Sequence, residues 1–273
     1  MSFYDNLRAI QKAKNSLLCV GLDPDLSKIP RHLLGNNDSV GEFCKRIIEA
    51  TSEFACAFKL NLAFFEALGE RGWSTVHRVL ECISPGIITI GDAKRGDIGN
   101  SAEMYARSLL DDFKFTATTV SAYMGEDSVR PFINDPDRGT FLLALTSNPG
   151  AKDFQNLKVR GKPLYEHIIA KGKKWNTRNN IGLVVGATRP AQLKRIRQLA
   201  PDMPLLIPGV GAQGGDVRLA VRYGCDAQGE MALINASRSI LFASSGEDFA
   251  DAARLSAKML RDEMNKHRER YFS

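Results

Sequence analysis

Short apolar runs recur along the chain and alternate with segments in which apolar residues follow helical spacing. A short apolar run that ends in glycine, proline or polar residues is typical of a buried strand. Helical spacing predicts helices before and between the runs, among them 3–13, 164–175, 190–199 and 249–260. The runs themselves predict eight strands: 17–22, 54–60, 87 to the break at Gly96, 117–122, 140–146, 181–186, 205–208 and 231–235.

This alternation predicts the fold class. Alternating strands and helices are typical of an α/β protein with a parallel sheet, and eight units in about 250 residues are the size of a (β/α)8 TIM barrel. The number eight favours the barrel over an open doubly wound sheet. No linker rich in Pro, Gly or Ser divides the chain. We therefore predict one barrel domain over 1–273, with a short N-terminal helix and a charged, frayed or solvated C-terminal tail from about 261.

The third strand leads into the densest group of charged residues. Asp92 and Lys94 lie two apart and therefore share one face of the strand, and Asp97 follows where the chain turns. We expect Lys94 to lie between two carboxylates, which favour its protonated form. A protonated lysine can act as a general acid but not as a Schiff-base nucleophile. Spacing alone would equally allow an exposed salt bridge beside a turn.

Two helix starts also have recognisable sequences. Ser39 and Glu42, and likewise Asn100 and Glu103, have the spacing of a capping box. We therefore predict that helices begin at Ser39 and at Asn100.

Polar residues follow most of the predicted strands. Active sites of barrels lie at the carboxyl ends of the strands, so these side chains should meet at one mouth. Each alone could be a turn residue or a rim charge. They are Asp23, Lys59, Asp92, Lys94, Ser147, Gln213 and Arg238.

A glycine-rich loop, GVGAQGG at 209–215, follows the seventh strand. Its G-x-G-x-x-G pattern is a weak signal by itself, but the loops after strands seven and eight of barrels commonly bind phosphate. Ser237 and Arg238 follow the eighth strand and offer backbone N–H groups and a guanidinium. We favour a phosphate site over a purely structural glycine turn.

Composition limits the other function classes. The net charge of +6, from 37 basic and 31 acidic residues, could favour a small anion as easily as nucleic acid. The basic segments are not interleaved with aromatic residues, so nucleic-acid binding is not expected. Four scattered histidines and five cysteines form no metal-ligand pattern. An odd cysteine count without C-x-x-C, a polar N-terminus and no membrane-length apolar run predict a cytoplasmic protein without membrane contact.

The motifs together resemble one enzyme family. Asp92-x-Lys94-x-x-Asp97-Ile98 resembles the central motif of orotidine 5′-phosphate decarboxylases, and the similarity extends over essentially the whole chain. The residues at 92–97 and at 185–188 resemble those of the bacterial second subgroup. The further matching segments are Gly21-Leu22-Asp23, Phe58-Lys59, Ser147-x-Pro149-Gly150, 208–215 and Ser237-Arg238.

The resemblance implies a role for each matching residue. Lys94 would deliver a proton to C6 of the pyrimidine, and Asp92 would lie near the departing carboxylate. Asp23, Lys59 and Asp97 would contact the ribose, with Asp97 and Ile98 coming from the other subunit of a homodimer. Ser147 would meet the pyrimidine, Gln213 would bridge to the phosphate, and Ser237 and Arg238 would bind the phosphate. The remaining substrate-binding residues would be Ser101, where many members have threonine, Pro149 and Gly214.

The resemblance therefore implies decarboxylation of orotidine 5′-monophosphate to uridine 5′-monophosphate without a cofactor or metal. A magnesium-dependent sugar-phosphate decarboxylase or synthase would share the barrel and the D-x-K-x-x-D motif. Such an enzyme would need a metal-binding acid at the end of strand two, where this chain has Lys59, and chelation would inactivate it. A basic nucleic-acid-binding module, the rival from another class, would show salt-dependent affinity and no turnover.

Overall fold

The computed structural model describes residues 2–35, 38–186, 189–209 and 215–272. Within these ranges eight parallel strands close into a barrel, each paired with its neighbours in sequence and the first paired with the last. This confirms the predicted (β/α)8 TIM barrel. The strands are β1 Leu18–Leu22, β2 Ala57–Asn61, β3 Ile88–Arg95, β4 Ala117–Val120, β5 Gly139–Leu145, β6 Ile181–Val185, β7 Leu205–Pro208 and β8 Ala232–Ala236.

Helices occupy the connections between the strands. Short 3-10 turns cover Arg31–Leu33 and Arg130–Ile133, a π-helical segment covers Arg107–Asp112, and a small antiparallel pair joins Lys158–Val159 to Lys162–Pro163. The α-helices of the described ranges are α1 Phe3–Lys14, α2 Ser39–Thr51, α3 Leu62–Glu66, α4 Glu70–Glu81, α5 Gly99–Ala106, α6 Glu126–Val129, α7 Ala151–Phe154, α8 Leu164–Trp175, α9 Pro190–Leu199, α10 Val217–Gly224, α11 Arg238–Leu241 and α12 Phe249–Phe272.

Helix α2 begins at Ser39 as predicted, but neither helix has its N-cap at the residue that the capping box indicated. The N-cap of α2 is Asp38, one residue earlier, and its carboxylate accepts the N–H of Gly41 at 3.1 Å. Helix α5 begins at Gly99 after Ile98, with no side-chain cap. The spacing of the two boxes was right for a helix start, but a stronger acceptor at Asp38 and the turn before Gly99 set the actual boundaries.

Helix α1 closes the base of the barrel, the end opposite the carboxyl ends of the strands. Phe3, Tyr4 and Leu7 are buried in the same cluster as the inward-facing strand residues. The ring of Phe3 meets Phe141 edge-on, with centroids 5.9 Å apart. A Cβ at Gly139 would lie 2.6 Å from the Phe3 ring, so glycine is needed for this approach. The barrel is therefore open to a ligand at its other end, which we call the mouth.

The C-terminal residues differ from the prediction. The segment from about 261 is the second half of α12, a helix that continues to Phe272. Met264 is fully buried, and Asn265 and Arg268 donate hydrogen bonds to Asn15 at 2.8 and 3.0 Å. The charged composition suggested a frayed tail because the few anchoring residues are spread among many exposed ones. No helix in the described ranges combines the length and apolar character that a bilayer crossing requires.

Candidate active site

Four charged side chains form a continuous series at the mouth. The ammonium of Lys59 lies 3.5 Å from Asp23 Oδ1 and 3.1 Å from Asp92 Oδ2. The ammonium of Lys94 lies 2.7 Å from Asp92 Oδ1. Negative and positive groups thus alternate from β1 across β2 to β3.

This series corrects one expectation. We expected Lys94 to lie between Asp92 and Asp97, whereas Asp92 lies between Lys59 and Lys94. Among the described residues, the ion pair of Lys94 is with Asp92, and Asp97 is not part of the series. The sequence placed the charges at the right strand ends but could not show that Lys59 of the neighbouring strand reaches Asp92.

Burial and charge set the protonation of the two central groups. Burial disfavours the charged form of Lys59, but the carboxylates of Asp23 and Asp92 outweigh it, so the pKa of Lys59 lies above its ordinary value. Burial alone would raise the pKa of Asp92, yet Lys59 and Lys94 outweigh it and lower this pKa to about 2. Lys59 is therefore a fixed cation and Asp92 a fixed anion at neutral pH.

The backbone and a threonine hold Lys94 in place. Lys94 has a positive φ of 50°, which is uncommon for a residue with a side chain and often marks a functional constraint. Its N–H donates to Thr119 Oγ1 at 2.9 Å, and that hydroxyl donates to Asp92 Oδ1 at 2.9 Å. Thr119 of β4 therefore fixes both residues, while the side chain of Lys94 stays 47% exposed to the mouth.

These side chains line a cavity of about 220 Å³ at the carboxyl ends of the strands. One part of its wall is apolar, and the sequence did not identify it: Leu143, Leu145, Val184, Leu206 and Pro208. The predicted site residues that line the cavity are Asp23, Lys59, Asp92, Lys94, Ser147, Ser237 and Arg238.

The last strand brings the predicted anion-binding group to the same cavity. Arg238 is the first residue of α11 and is exposed, and Ser237 precedes it. The hydroxyl of Ser237 is buried and has no hydrogen-bond partner among the described residues. Gly209 lines the cavity beside them. Gln213 and Gly214, which we predicted to help bind phosphate, lie outside the described residues.

Four other predicted residues do not line this cavity. Asp97 accepts the N–H of Ile98 at 2.8 Å, and the side chain of Ile98 is 59% exposed. Ser101 in α5 and Pro149 after β5 are also exposed. Within one chain, the structure does not bring these residues to the mouth.

Four polar residues of the site were missed. Asn61, Thr146 and Asn235 line the cavity, and Thr119 supports it. Asn61 and Asn235 were assigned only to strand ends, and neither belongs to a matching motif. The signal that could have found them is the two-residue period: Asn61 follows Lys59 on one face of β2, and Asn235 follows the inward Leu233 on β8.

Comparisons with known proteins agree with this geometry. A family model described as orotidine 5′-phosphate decarboxylase / HUMPS family matches residues 16–253. An orotidine 5′-phosphate decarboxylase of Dehalococcoides mccartyi is 47% identical over 99% of this chain and all of the relative. One from Azoarcus sp. is 48% identical over 98% of this chain and all of the relative.

A solved structure gives the same result for the fold. The OMP decarboxylase of Leishmania donovani superposes with a TM-score of 0.87 at 41% identity, covering 98% of this chain and 99% of that one. The fold, the charged series at the mouth and the matched length agree: this chain belongs to the orotidine 5′-phosphate decarboxylase / HUMPS family.

Proposed function

We propose that the protein decarboxylates orotidine 5′-monophosphate to uridine 5′-monophosphate. Relatives at 47 and 48% identity over nearly the full length carry the name of this activity. The observation that carries the proposal is the series Asp23, Lys59, Asp92 and Lys94 at the mouth of the barrel. This reaction would make the protein a carboxy-lyase of the last step of pyrimidine synthesis.

The chemistry requires stabilisation of negative charge at one carbon. Loss of CO₂ leaves an electron pair on C6 of the pyrimidine, and the Lys94 ammonium is the more exposed of the two lysine cations in the charged series. Because Thr119 and the backbone fix Lys94 before substrate arrives, little reorganisation is needed during the reaction, which is the condition for strong electrostatic stabilisation. Lys94 then donates the proton that completes C6 of the product.

Asp92 and Lys59 complete the charged array. In this proposal the substrate carboxylate lies beside Asp92, which remains ionised because its pKa is about 2. Repulsion between the two carboxylates favours departure of CO₂. Lys59 keeps Asp92 charged and, with Asp23, meets the ribose hydroxyls.

The rest of the nucleotide extends across the mouth. Ser147 is assigned to the pyrimidine, and Ser237 and Arg238 to the phosphate, together with Gln213 and Gly214 of the sequence segment after β7. Pro149, outside the cavity, remains a predicted substrate-binding residue without an assigned contact. Ser147 comes close to β6 because Gly186 has no side chain: a Cβ there would lie 2.9 Å from the Ser147 nitrogen. A phosphate bound far from C6 contributes binding energy that favours the closed, water-poor site.

The active site is proposed to be shared between two subunits. Asp97, Ile98 and Ser101 lie outside the cavity of their own chain but directly follow β3, and we assign them to the site of a partner chain. Large apolar side chains are exposed in the segments that follow β3 and β4, and such exposure is consistent with an interface. They are Ile98, Met104, Tyr105, Tyr123 and Met124.

Subunit exchange tests the shared site. Lys94→Ala and Asp97→Ala homodimers should each be nearly inactive. In a mixed dimer one site carries both defects and the other carries neither, so random pairing of equal amounts should restore about a quarter of wild-type activity. Mass-tagged chains confirm the exchange. If confirmed heterodimers remain as inactive as their parents, Asp97 serves its own subunit.

The free cysteine thiols support our proposal that the protein is cytoplasmic. All five cysteines are free, and burial raises the pKa of Cys56 and Cys225 to about 12, so these thiols stay protonated and unreactive. We propose orotidine 5′-monophosphate and a second copy of the chain as the partners, and neither nucleic acid nor membrane.

The function is tested by adding purified protein to orotidine 5′-monophosphate. The ultraviolet absorbance of the substrate should change with time, and chromatography should identify uridine 5′-monophosphate as the product. An unchanged substrate with a folded protein would contradict the proposal. Salt-dependent binding to DNA or RNA without turnover would favour the nucleic-acid-binding alternative.

A further inference from the structure

One polar side chain of the cavity has no partner and no role in the proposal above. Asn235 of β8 is only 6% exposed and lines the mouth cavity. Its Oδ1 atom is completely buried and accepts no hydrogen bond from the described residues. Buried amide oxygens are almost always hydrogen-bonded, so an unpaired one that lines a cavity indicates a missing donor.

The neighbouring strand fixes the position of this amide. Asn235 is opposite Cys19 in the pairing of β8 with β1, two residues before Gly21. A Cβ at Gly21 would lie 2.9 Å from Asn235 Oδ1 and 3.1 Å from its Nδ2. Glycine at 21 therefore leaves the space that the amide occupies, and the amide lies against the backbone of β1.

The surroundings show which part of a ligand would meet it. Gly21 leads to Asp23, whose Oδ1 also has no hydrogen-bond partner although Lys59 lies 3.5 Å away. On its own strand, Asn235 is followed by Ser237, whose hydroxyl is likewise unpaired, and by Arg238. Three polar atoms without a hydrogen bond to the described residues thus belong to the β1 and β8 side of the mouth, which extends from the groups assigned to ribose to those assigned to phosphate.

The chemistry of Asn235 Oδ1 limits which group of a ligand can form a hydrogen bond with it. Amide oxygen only accepts hydrogen bonds. The phosphate oxygens of a nucleotide also only accept at neutral pH, whereas the ribose hydroxyls can donate. We propose that Asn235 is a further substrate-binding residue, whose amide turns its Oδ1 from the covered position against β1 towards the cavity when the nucleotide binds and accepts a hydrogen bond from a ribose hydroxyl. This inference rests on the proposed function and adds a ribose contact on β8 to those on β1 and β2.

Two asparagines provide a matched pair for the test. Asn180 is also buried, but its Nδ2 donates to the carbonyls of Ile133 and Asp135 at 3.0 and 2.9 Å. Asn235→Leu removes an unpaired acceptor, so the melting temperature should stay the same or rise. Asn180→Leu removes satisfied hydrogen bonds, so the melting temperature should fall while nucleotide binding is unchanged. Asn235→Ala serves as a second variant should leucine not fit.

The readout is the dissociation constant of uridine 5′-monophosphate and of its 2′-deoxy and 3′-deoxy analogues. Asn235→Leu or Asn235→Ala should weaken binding of the ribonucleotide about tenfold, as expected for one lost hydrogen bond whose donor is left unpaired. The deoxy analogue that lacks the contacted hydroxyl should bind wild type and variant within about twofold.

The outcomes separate this inference from the proposed function. Equal weakening for all three nucleotides, or unchanged binding of the ribonucleotide, would overturn the role of Asn235 while wild-type binding and turnover still support the function. Absence of ribonucleotide binding by folded wild-type protein would overturn both.

Discussion

At the base of the barrel buried polar groups form hydrogen bonds, whereas at the mouth several of them do not within the described part of the chain. At the base, Gln11 of α1 donates to the Ala232 carbonyl at 2.8 Å and accepts the Met231 N–H at 3.0 Å. Tyr4 donates to the Ile181 carbonyl at 2.6 Å and accepts from Asn176 at 2.8 Å. At the mouth, the acceptor atoms of Asp23 and Asn235 and the hydroxyl of Ser237 have no such partner among the described residues.

The ion pairs at the base and at the mouth of the barrel differ in the same way as the hydrogen bonds. At the base one guanidinium, Arg8, meets both Asp226 and Glu230 at 2.6 Å. At the mouth the charges alternate and end in Lys94, the most exposed member of the series. The base is therefore built to hold α1 on the barrel, whereas the mouth keeps charge and hydrogen-bonding capacity for a ligand. The comparison predicts that mouth substitutions act mainly on activity, whereas base substitutions act on stability alone.

Removing the exposed cation of the mouth should have the largest effect. Lys94→Ala should lower kcat by at least about 10³-fold, because it removes the charge that stabilises C6 and the proton donor. Binding of uridine 5′-monophosphate should remain, since the phosphate contacts are intact. Steady-state kinetics and calorimetric titration measure the two quantities. Turnover near the wild-type level would show that Lys94 is not the proton donor.

The matching change at the base should act on stability alone. Gln11→Leu leaves the Ala232 carbonyl and the Met231 N–H without partners, which should lower the free energy of unfolding by about 2–4 kcal/mol. Urea unfolding measures this loss, and the kcat of the folded fraction should match wild type. A large loss of kcat in folded Gln11→Leu would mean that the two ends are not independent.

The sequence predicted the architecture more fully than the site. Eight apolar runs gave all eight strands, because each barrel strand is buried and bounded by turn residues. The charges at the strand ends were also predicted. Their order was not: the contact of Lys59 with Asp92 depends on the register between β2 and β3, which no local pattern encodes.

Other parts of the site had no recognisable signal. Thr119 has its role because its hydroxyl lies between the Lys94 N–H and Asp92, contacts across two strands. In the sequence Asn235 is recognisable only as the end of a strand. That its side-chain oxygen lacks a hydrogen-bond partner among the described residues can be seen only when the neighbouring strand is in place. The positive φ of Lys94 is likewise a property of the bulged pairing between β3 and β4.

The phosphate end of the mouth should show a smaller effect. Arg238→Ala should raise KM for orotidine 5′-monophosphate by about 10- to 150-fold, the equivalent of a charge-assisted contact of roughly 1.5–3 kcal/mol. Orotidine, which has no phosphate, should be affected much less. Comparing kcat/KM for the two substrates checks this. Equal losses would assign Arg238 to the structure of the β8 end.

The smallest expected effect is the pH dependence of the free energy of unfolding. The pKa of Asp92 is lowered from 3.8 to about 2, so its ionised form stabilises the fold above the unfolded pKa, and this contribution disappears as pH falls through the folded pKa. It amounts to about 2 kcal/mol, most of which should be lost between pH 5 and pH 2. The stability difference between wild type and Asp92→Asn should shrink over that window. A difference independent of pH would contradict the assignment.

The central claim is that the protein's own lysines, Lys59 and Lys94, supply the positive charge for decarboxylation. The most direct measurement is turnover of orotidine 5′-monophosphate by protein treated with chelator, with and without added Mg²⁺. Lys59 occupies the end of β2, where a magnesium-dependent relative would need an acid, so the account predicts equal rates in both samples. Loss of turnover in chelator and its recovery with Mg²⁺ would contradict the claim.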